Sequence, residues 1–141
     1  MPELFLWLRI YLDANVLISA SLSIDSQFLD FWRMRQVRPI TSAYAVEESR
    51  RHLRTDQVAR LQELLTHTEI SDEPGTFLIP NGVALIEKDR PILAAAIFSR
   101  ADYLITGDKR HFQHLFNTSV ARVRIISPGD FLRLHKDRII L

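Results

Sequence analysis

The chain has 141 residues, of which 47% are hydrophobic and 25% charged, as expected for a single globular domain (1–141) that can bury a core. Its formal net charge of +1 excludes a polycation that binds nucleic acid over its whole surface, so any such contact needs a local basic patch. The absence of cysteine excludes disulfides, thiolate metal ligands and a cysteine nucleophile, and is compatible with a reducing cytoplasm.

The chain starts with a short apolar lead, PELFLWLR (2–9). No Lys or Arg precedes it, Glu3 lies at its start and Arg9 interrupts its continuation into the first strand. An apolar run of about ten residues is also too short to span a bilayer. We therefore expect neither a targeting segment nor a membrane span.

Strand and helix patterns then alternate along the chain. In order, they predict a strand over 8–12, a helix over 27–36, a strand over 37–41, a helix over 43–53, a helix through Val58 and Leu65, a strand over 76–79, a helix over 92–101, a strand over 102–106, a strand over 122–126 and a helix over 127–135. Ser42, Asp89 and Ser127 are placed to cap helices. This alternation predicts an α/β/α sandwich around a mostly parallel central sheet.

Acidic residues cluster at the predicted strand ends. Asp13 interrupts the apolar run LRIYLDANVLIS directly after the first strand, and Asp108 follows the strand DYLIT and one glycine. Glu47 and Glu48 lie in the first turns of the helix after 37–41, and Asp89 opens a later helix. Because ligands of parallel sheets bind beyond the carboxyl ends of the strands, we expect these acids to lie near one another.

Each acid also has a structural explanation. Asp89 is explained by a helix cap, Asp108 by a turn, and the glutamates by a solvated helix start. Asp13 is harder to explain, because a lone buried carboxylate costs several kcal/mol. Several carboxylates in one pocket would take up protons unless a cation neutralised them, and an all-oxygen set favours Mg²⁺ or Mn²⁺ over Zn²⁺.

Basic residues form two clusters, SRRHLR (49–54) and DKRH (108–111). Taken alone, each cluster is best interpreted as a solvated charged face. We interpret His52 and His111 as local surface hydrogen-bonding groups rather than as general acids.

Four segments together resemble the PIN domain (PilT N-terminus) family, in particular small VapC-like toxins of toxin–antitoxin systems. They are YLDANVLISA (11–20), TSAYAVEESRRHL (41–53), EKDRPILAAAI (87–97) and DYLITGDKRHF (102–112). They occur in the family's order and span most of the chain, and SPGDFL fits the family's usual ending. The apolar lead is a departure, and would lengthen the first strand or add an interface.

The resemblance implies roles for individual residues. The family's acids, which bind metal and are catalytic, match Asp13, Glu48, Asp89 and Asp108. Helical periodicity does not choose between Glu47 and Glu48, but the family's glutamate lies six residues after the strand-end serine, here Ser42. Two further positions match supporting residues of the site, Asn15, which orients the first acid, and Thr106, which lines the site.

The resemblance implies an endoribonuclease that depends on Mg²⁺ or Mn²⁺ and hydrolyses single-stranded RNA, with a metal-bound water or hydroxide attacking the phosphodiester. Candidates for contacts to the RNA backbone are Arg50, Arg51, Lys109 and Arg110. We further expect a cytoplasmic toxin that forms a homodimer and pairs with a small antitoxin protein. The helices around Phe28 and Trp32 and around Val58–Leu65 are candidate interfaces, although the core is their simpler use.

Two other functions compete with this interpretation. A PIN-like fold can bind RNA or a protein partner without cleaving, but retention of all four acids argues against that. The LDANV segment also resembles the Asp-x-Asp motif of a phosphatase class. However, Asn15 replaces the second aspartate of that motif, and no clear lysine motif of that class follows later in the chain.

Overall fold

In a computed structural model of the chain, which describes residues 7–140, the strands form one six-stranded sheet of order β3-β2-β1-β4-β6-β5. The strands are β1 (Leu8–Leu12), β2 (Val37–Ser42), β3 (Glu69–Ser71), β4 (Tyr103–Ile105), β5 (Ser119–Val120) and β6 (Val123–Ile126). Only the short β5 runs antiparallel to its described neighbour.

Helices connect the strands. The α-helices are α1 (Ala14–Ser21), α2 (Ala43–Arg50), α3 (Thr55–Leu65), α4 (Arg90–Phe98), α5 (Lys109–Phe112) and α6 (Pro128–Leu134). Short 3₁₀ helices cover Gln27–Trp32, Thr76–Leu78, Glu87–Asp89, Gln113–Leu115 and Lys136–Arg138. Parallel strands connected by helices confirm the predicted α/β/α fold.

The second half of the central strand β1 is fully buried, as its apolar residues predict. Ile10, Tyr11 and Leu12 are 0% exposed. Both neighbours of β1 in the sheet, β2 and β4, pair with it in parallel. The strands that follow β1 in sequence, β2 and β3, lie on one side of it. The later strands β4, β5 and β6 lie on the other side. The carboxyl ends of β1 and β4 therefore lie at a topological switch point, where open parallel sheets bind their ligands.

Two predicted elements are wrong. The helix predicted over 27–36 is only the 3₁₀ turn Gln27–Trp32, because Met34 then pairs with Ile139 and the chain enters β2 at Val37. The strand predicted over 76–79 is a 3₁₀ turn in which Phe77 is 82% exposed. A short apolar run does not by itself distinguish a strand from a turn, and β3 already occupies this edge of the sheet.

Other boundaries agree better with the prediction. Ser42 and Ser127 cap α2 and α6, accepting hydrogen bonds from the backbone nitrogens of Ala45 and Asp130. The helix predicted over 43–53 ends at Arg50. Across 7–140, no helix combines the length and the hydropathy needed to cross a membrane. The first strand begins at Leu8 as predicted, and the rest of the apolar lead, residues 1–6, lies outside the described part of the chain.

Candidate metal centre

Asp13 lies at the junction between β1 and α1. The strand ends at Leu12 and the helix begins at Ala14, so this single residue makes the turn. Its Oδ1 accepts a 2.7 Å hydrogen bond from the Ala14 backbone nitrogen at the start of the helix. The side chain is buried, and its position is therefore fixed by the strand on one side and the helix on the other.

The other carboxylate oxygen of Asp13 is held by two side chains. The hydroxyl of Thr106 donates a 2.8 Å hydrogen bond to Oδ2, and the amide of Asn15 donates a 3.2 Å bond to the same atom. Asn15 Oδ1 in turn accepts a 2.7 Å bond from the backbone nitrogen of Gly107. Asn15 thus braces both the first acid and the loop after β4, while Thr106 lies fully buried between them.

Asp108 follows that loop and caps α5. Its backbone nitrogen donates to the Thr106 hydroxyl at 3.1 Å, and its Oδ1 accepts from the backbone nitrogen of His111 at 3.1 Å. Its Oδ2 lies 2.7 Å from His111 Nδ1. One hydroxyl, that of Thr106, therefore links Asp13 to the backbone of Asp108.

Asp89 reaches the same place from the start of α4. It is 9% exposed, and its side chain makes no capping bond to α4, so the predicted capping role is wrong. Its Oδ2 instead approaches His111 Nδ1 to 2.9 Å. That contact lacks hydrogen-bond geometry, since the imidazole bonds to Asp108, and Asp89 Oδ2 is a buried oxygen without a hydrogen-bond partner among the described residues.

Of the two glutamates on α2, Glu48 is the one whose charge acts on the other acids. Its negative charge raises the pKa of Asp13 and of Asp89, whereas Glu47 is not among the main causes of either shift. Glu48 is half-buried and Glu47 is exposed, although both line the same cleft of about 480 Å³. Burial and charge therefore favour Glu48, the glutamate that the resemblance implies.

The electrostatics indicate that the acids share one pocket. Burial raises the pKa of Asp13 to about 6, with added repulsion from Asp89 and Glu48, despite opposing hydrogen bonds from Thr106 and Ala14. Burial is also the largest cause of the raised pKa of Asp89. There His111 opposes the shift, while Asp108 and Glu48 add to it. Asp13 and Asp89 thus lie close enough to other carboxylates for repulsion to disfavour their ionisation.

The donor set fits a hard divalent cation. Asp89 and Asp108 both contact His111, whereas Asp13 and Glu48 are linked to Asp89 only through the effects of charge on pKa. The buried oxygen Asp89 Oδ2 lacks a hydrogen-bond partner in the described chain. One ligand atom each from Asp89, Asp108 and His111 lies within 4.8 Å of the other two. A cation bound here would relieve the repulsion and give the orphaned oxygen a partner.

Two of the predicted basic residues, Arg51 and Lys109, line grooves beside the acids. Arg50, Arg51, Lys109 and Arg110 are all exposed. Arg51 lines the cleft of about 480 Å³ together with Glu48, Tyr44 and Lys88. Lys109 lines a second groove, of about 510 Å³, that begins at Asn15 and Gly107 and reaches Phe28. Positively charged side chains, Arg51 and Lys109, therefore lie in both grooves beside the acids.

His111 is the residue that the sequence interpretation missed. We interpreted it as a surface hydrogen-bonding group, but its side chain is only 20% exposed and contacts two of the predicted acids. Its spacing of three residues from Asp108, on a helix start followed by the buried Phe112, was an available signal.

Comparison with known proteins agrees with the fold. A family model described as PIN domain matches residues 9–110. The structure is similar to a chain from the crystal structure of VapBC2 from Rickettsia felis bound to a DNA fragment from their promoter, with a TM-score of 0.61 and 15% sequence identity. The match covers 85% of this chain and 98% of that one. No curated protein sequence matched the chain.

Proposed function

The chain belongs to the PIN domain family, and from that premise we propose that it is an endoribonuclease that hydrolyses single-stranded RNA with Mg²⁺ or Mn²⁺. The proposed metal ligands and catalytic acids are Asp13, Glu48, Asp89 and Asp108. The proposed supporting residues are Asn15 and Thr106.

The main support for this proposal is the burial of two acids, Asp13 and Asp89, with other carboxylates close enough to repel them. Asp13 has a pKa of about 6 because it is buried beside Asp89 and Glu48. Such an arrangement costs folding free energy, and a protein with only structural needs gains nothing from it. The Oδ2 of Asp89, which contacts His111 but has no hydrogen-bond partner among the described residues, adds support for a cation at this position.

When bound, the ion lowers the pKa of water and stabilises negative charge on the attacked phosphate. The chain's own residues keep the carboxylates in place. Thr106 and Asn15 fix the orientation of Asp13, and α5 holds Asp108 through its backbone. Arg51 and Lys109, in the two flanking clefts, are suited to contact RNA phosphates, with Arg50 and Arg110 beside them.

We further propose that the protein is the toxin of a toxin–antitoxin pair, acting in the cytoplasm as a homodimer. The similarity in fold to a chain of the VapBC2 complex supports an antitoxin as partner. The groove that reaches Phe28 is a candidate site for it, because it adjoins the acids and has both apolar and basic walls.

Cleavage of a mixed pool of single-stranded RNA tests the nuclease. The wild type should cleave with Mg²⁺ or Mn²⁺ and not with EDTA. Asp13→Asn should lose activity by at least about a hundredfold, whereas the exposed neighbour variant Glu47→Gln should retain it. RNA binding without cleavage would instead identify a non-catalytic RNA-binding module.

Expression in a bacterial host tests the toxin role separately. The wild-type chain should arrest growth and Asp13→Asn should not. If both are equally harmless while purified wild type still cleaves RNA, the nuclease proposal stands and the toxin proposal fails.

A further inference from the structure

We propose that His111 is itself a metal ligand, and that its imidazole nitrogen joins Asp89 and Asp108 in holding a divalent ion that is preferably Mn²⁺ rather than Mg²⁺. This inference rests on the metal site proposed above. It adds a nitrogen donor to a set that the sequence indicated as all-oxygen.

The contacts at His111 support this assignment. Nδ1 lies 2.7 Å from Asp108 Oδ2 and 2.9 Å from Asp89 Oδ2. Neighbouring ligand atoms around an octahedral ion, at bond lengths of about 2.1 Å, are about 3.0 Å apart. The two distances from Nδ1 are therefore close to those between adjacent ligands of one ion, and one ligand atom from each of the three residues lies within 4.8 Å of the other two.

The burial of Asp89 points to a ligand rather than to a surface ion pair. Asp89 is 9% exposed, and its Oδ2 has no hydrogen-bond partner in the described chain although it faces His111. One proton on Nδ1 could be donated to only one carboxylate at a time, and Asp108 is the one that meets hydrogen-bond geometry. A cation in place of that proton would serve both carboxylates together.

The local structure holds the imidazole at this position. The backbone nitrogen of His111 bonds to Asp108 Oδ1 and the adjacent Phe112 is fully buried, so both ends of the turn are anchored. Only the turn from Asp108 to His111 needs to form for the two side chains to meet. The pair is thus arranged before any ion arrives, which reduces the cost of binding.

Coordination requires the lone pair of Nδ1. The form of His111 that coordinates is therefore the neutral tautomer that carries its proton at Nε2. Imidazole is a good ligand for transition metals, whereas Mg²⁺ prefers oxygen donors and retains its waters. A nitrogen ligand therefore shifts the preference of this site towards Mn²⁺.

Pulsed electron paramagnetic resonance of the Mn²⁺-loaded protein tests the proposal directly. The wild type should show coupling of Mn²⁺ to a ¹⁴N nucleus, and labelling of histidine with ¹⁵N should convert it to the ¹⁵N pattern. His111→Gln should remove the coupling and weaken Mn²⁺ binding about tenfold, with less than threefold change for Mg²⁺. His52→Gln, an exposed histidine in the adjacent cleft, is the matched control and should behave as wild type.

The outcomes separate this inference from the metal site itself. Tight Mn²⁺ binding without nitrogen coupling in the wild type would overturn the role of His111 and leave the acidic site intact. Coupling that persists in His111→Gln would also overturn it. Failure of the wild type to bind either ion would overturn the proposed metal site as well. The ¹⁵N labelling needs no substitution, so misfolding of a variant cannot imitate the result.

Discussion

The hydroxyl of Thr106 donates a 2.8 Å hydrogen bond to Oδ2 of Asp13, joining the end of β4 to the end of β1. The two residues are far apart in sequence but adjacent in the sheet, because β1 and β4 pair in parallel. Thr106 is 0% exposed, so its hydroxyl acts on the acid without competition from solvent. This hydrogen bond opposes the raised pKa of Asp13.

Replacement of that hydroxyl should destabilise the protein. Thr106→Val keeps the shape but leaves Asp13 Oδ2 with only the longer bond from Asn15. The expected loss is about 1–3 kcal/mol in the free energy of unfolding at pH 7.5, measured by urea denaturation without metal. Thr106→Ser keeps the hydroxyl and should lose less. Equal stability of Thr106→Val and wild type would show that the hydrogen bond contributes nothing.

Acidification should stabilise the metal-free protein relative to Asp13→Asn. The pKa of Asp13 is about 6 in the folded protein against an ordinary 3.8, so the folded state takes up this proton at higher pH than the unfolded state does. Stability from Asp13 is therefore gained as the pH falls through 6. Between pH 7 and pH 5 the wild type should gain about 1 kcal/mol over Asp13→Asn in denaturant titrations with EDTA. A constant difference would contradict the raised pKa.

Divalent ions should stabilise the folded protein more at high pH than at low pH, the opposite of the effect of protonating Asp13. A cation competes with the proton for Asp13, so its stabilising effect should be largest above pH 7 and should shrink towards pH 5. At a hundredfold excess over the dissociation constant, Mn²⁺ should add about 3 kcal/mol to the free energy of unfolding. Thermal unfolding with Mn²⁺ or with EDTA at each pH measures this. A stabilisation that does not change with pH would place the ion away from Asp13.

Glu48 and Glu47 should differ in metal binding. Glu48→Gln removes a negative charge that acts on Asp13 and Asp89, and should weaken Mn²⁺ binding about tenfold in calorimetric titration. Glu47→Gln changes an exposed residue and should leave the affinity within about twofold. The reverse order of effects would assign the ligand to Glu47.

Ser42 should stabilise the protein in two ways, as the cap of α2 and as the hydrogen-bond partner of the buried Tyr11 hydroxyl. Its Oγ accepts from the Ala45 nitrogen at 3.3 Å and lies 2.6 Å from the hydroxyl of the fully buried Tyr11. Ser42→Ala should cost about 2 kcal/mol in urea denaturation, since it removes the cap and leaves the phenol unpaired. The double variant with Tyr11→Phe should recover part of that loss. Additive losses would show that the two groups do not interact.

The strands that could be predicted from sequence are those with enough apolar residues of their own to indicate a buried strand. β1 was predicted at its observed bounds, and β2, β4 and β6 within one residue at each end. Such runs suit a sheet covered on both faces, whatever the rest of the chain does. The acid at the end of β1 could be singled out for the same reason, because burial of its neighbours makes its own burial unavoidable.

The features that were missed depend on contacts between distant segments. β3 has only three residues and its Ile70 is half exposed, so its own sequence gives a weak strand signal. It forms a strand because it pairs in parallel with β2. The position of His111 beside Asp89 follows from the packing of α5 near the start of α4, which local periodicity does not encode. The two wrong elements have similar causes. The helix predicted over 27–36 is cut short because Met34 pairs with the distant Ile139, and the strand predicted over 76–79 forms a 3₁₀ turn instead.

The unpartnered oxygen of Asp89 has a consequence for the lifetime of the protein in a cell. A buried carboxylate oxygen without a hydrogen-bond partner should favour local opening near Asp89, and the proposed ion should oppose that opening. Proteases act on such transient openings, and the rate of degradation follows their population. Turnover should therefore slow when the ion is plentiful and quicken when it is scarce, so that the amount of protein follows the cation supply.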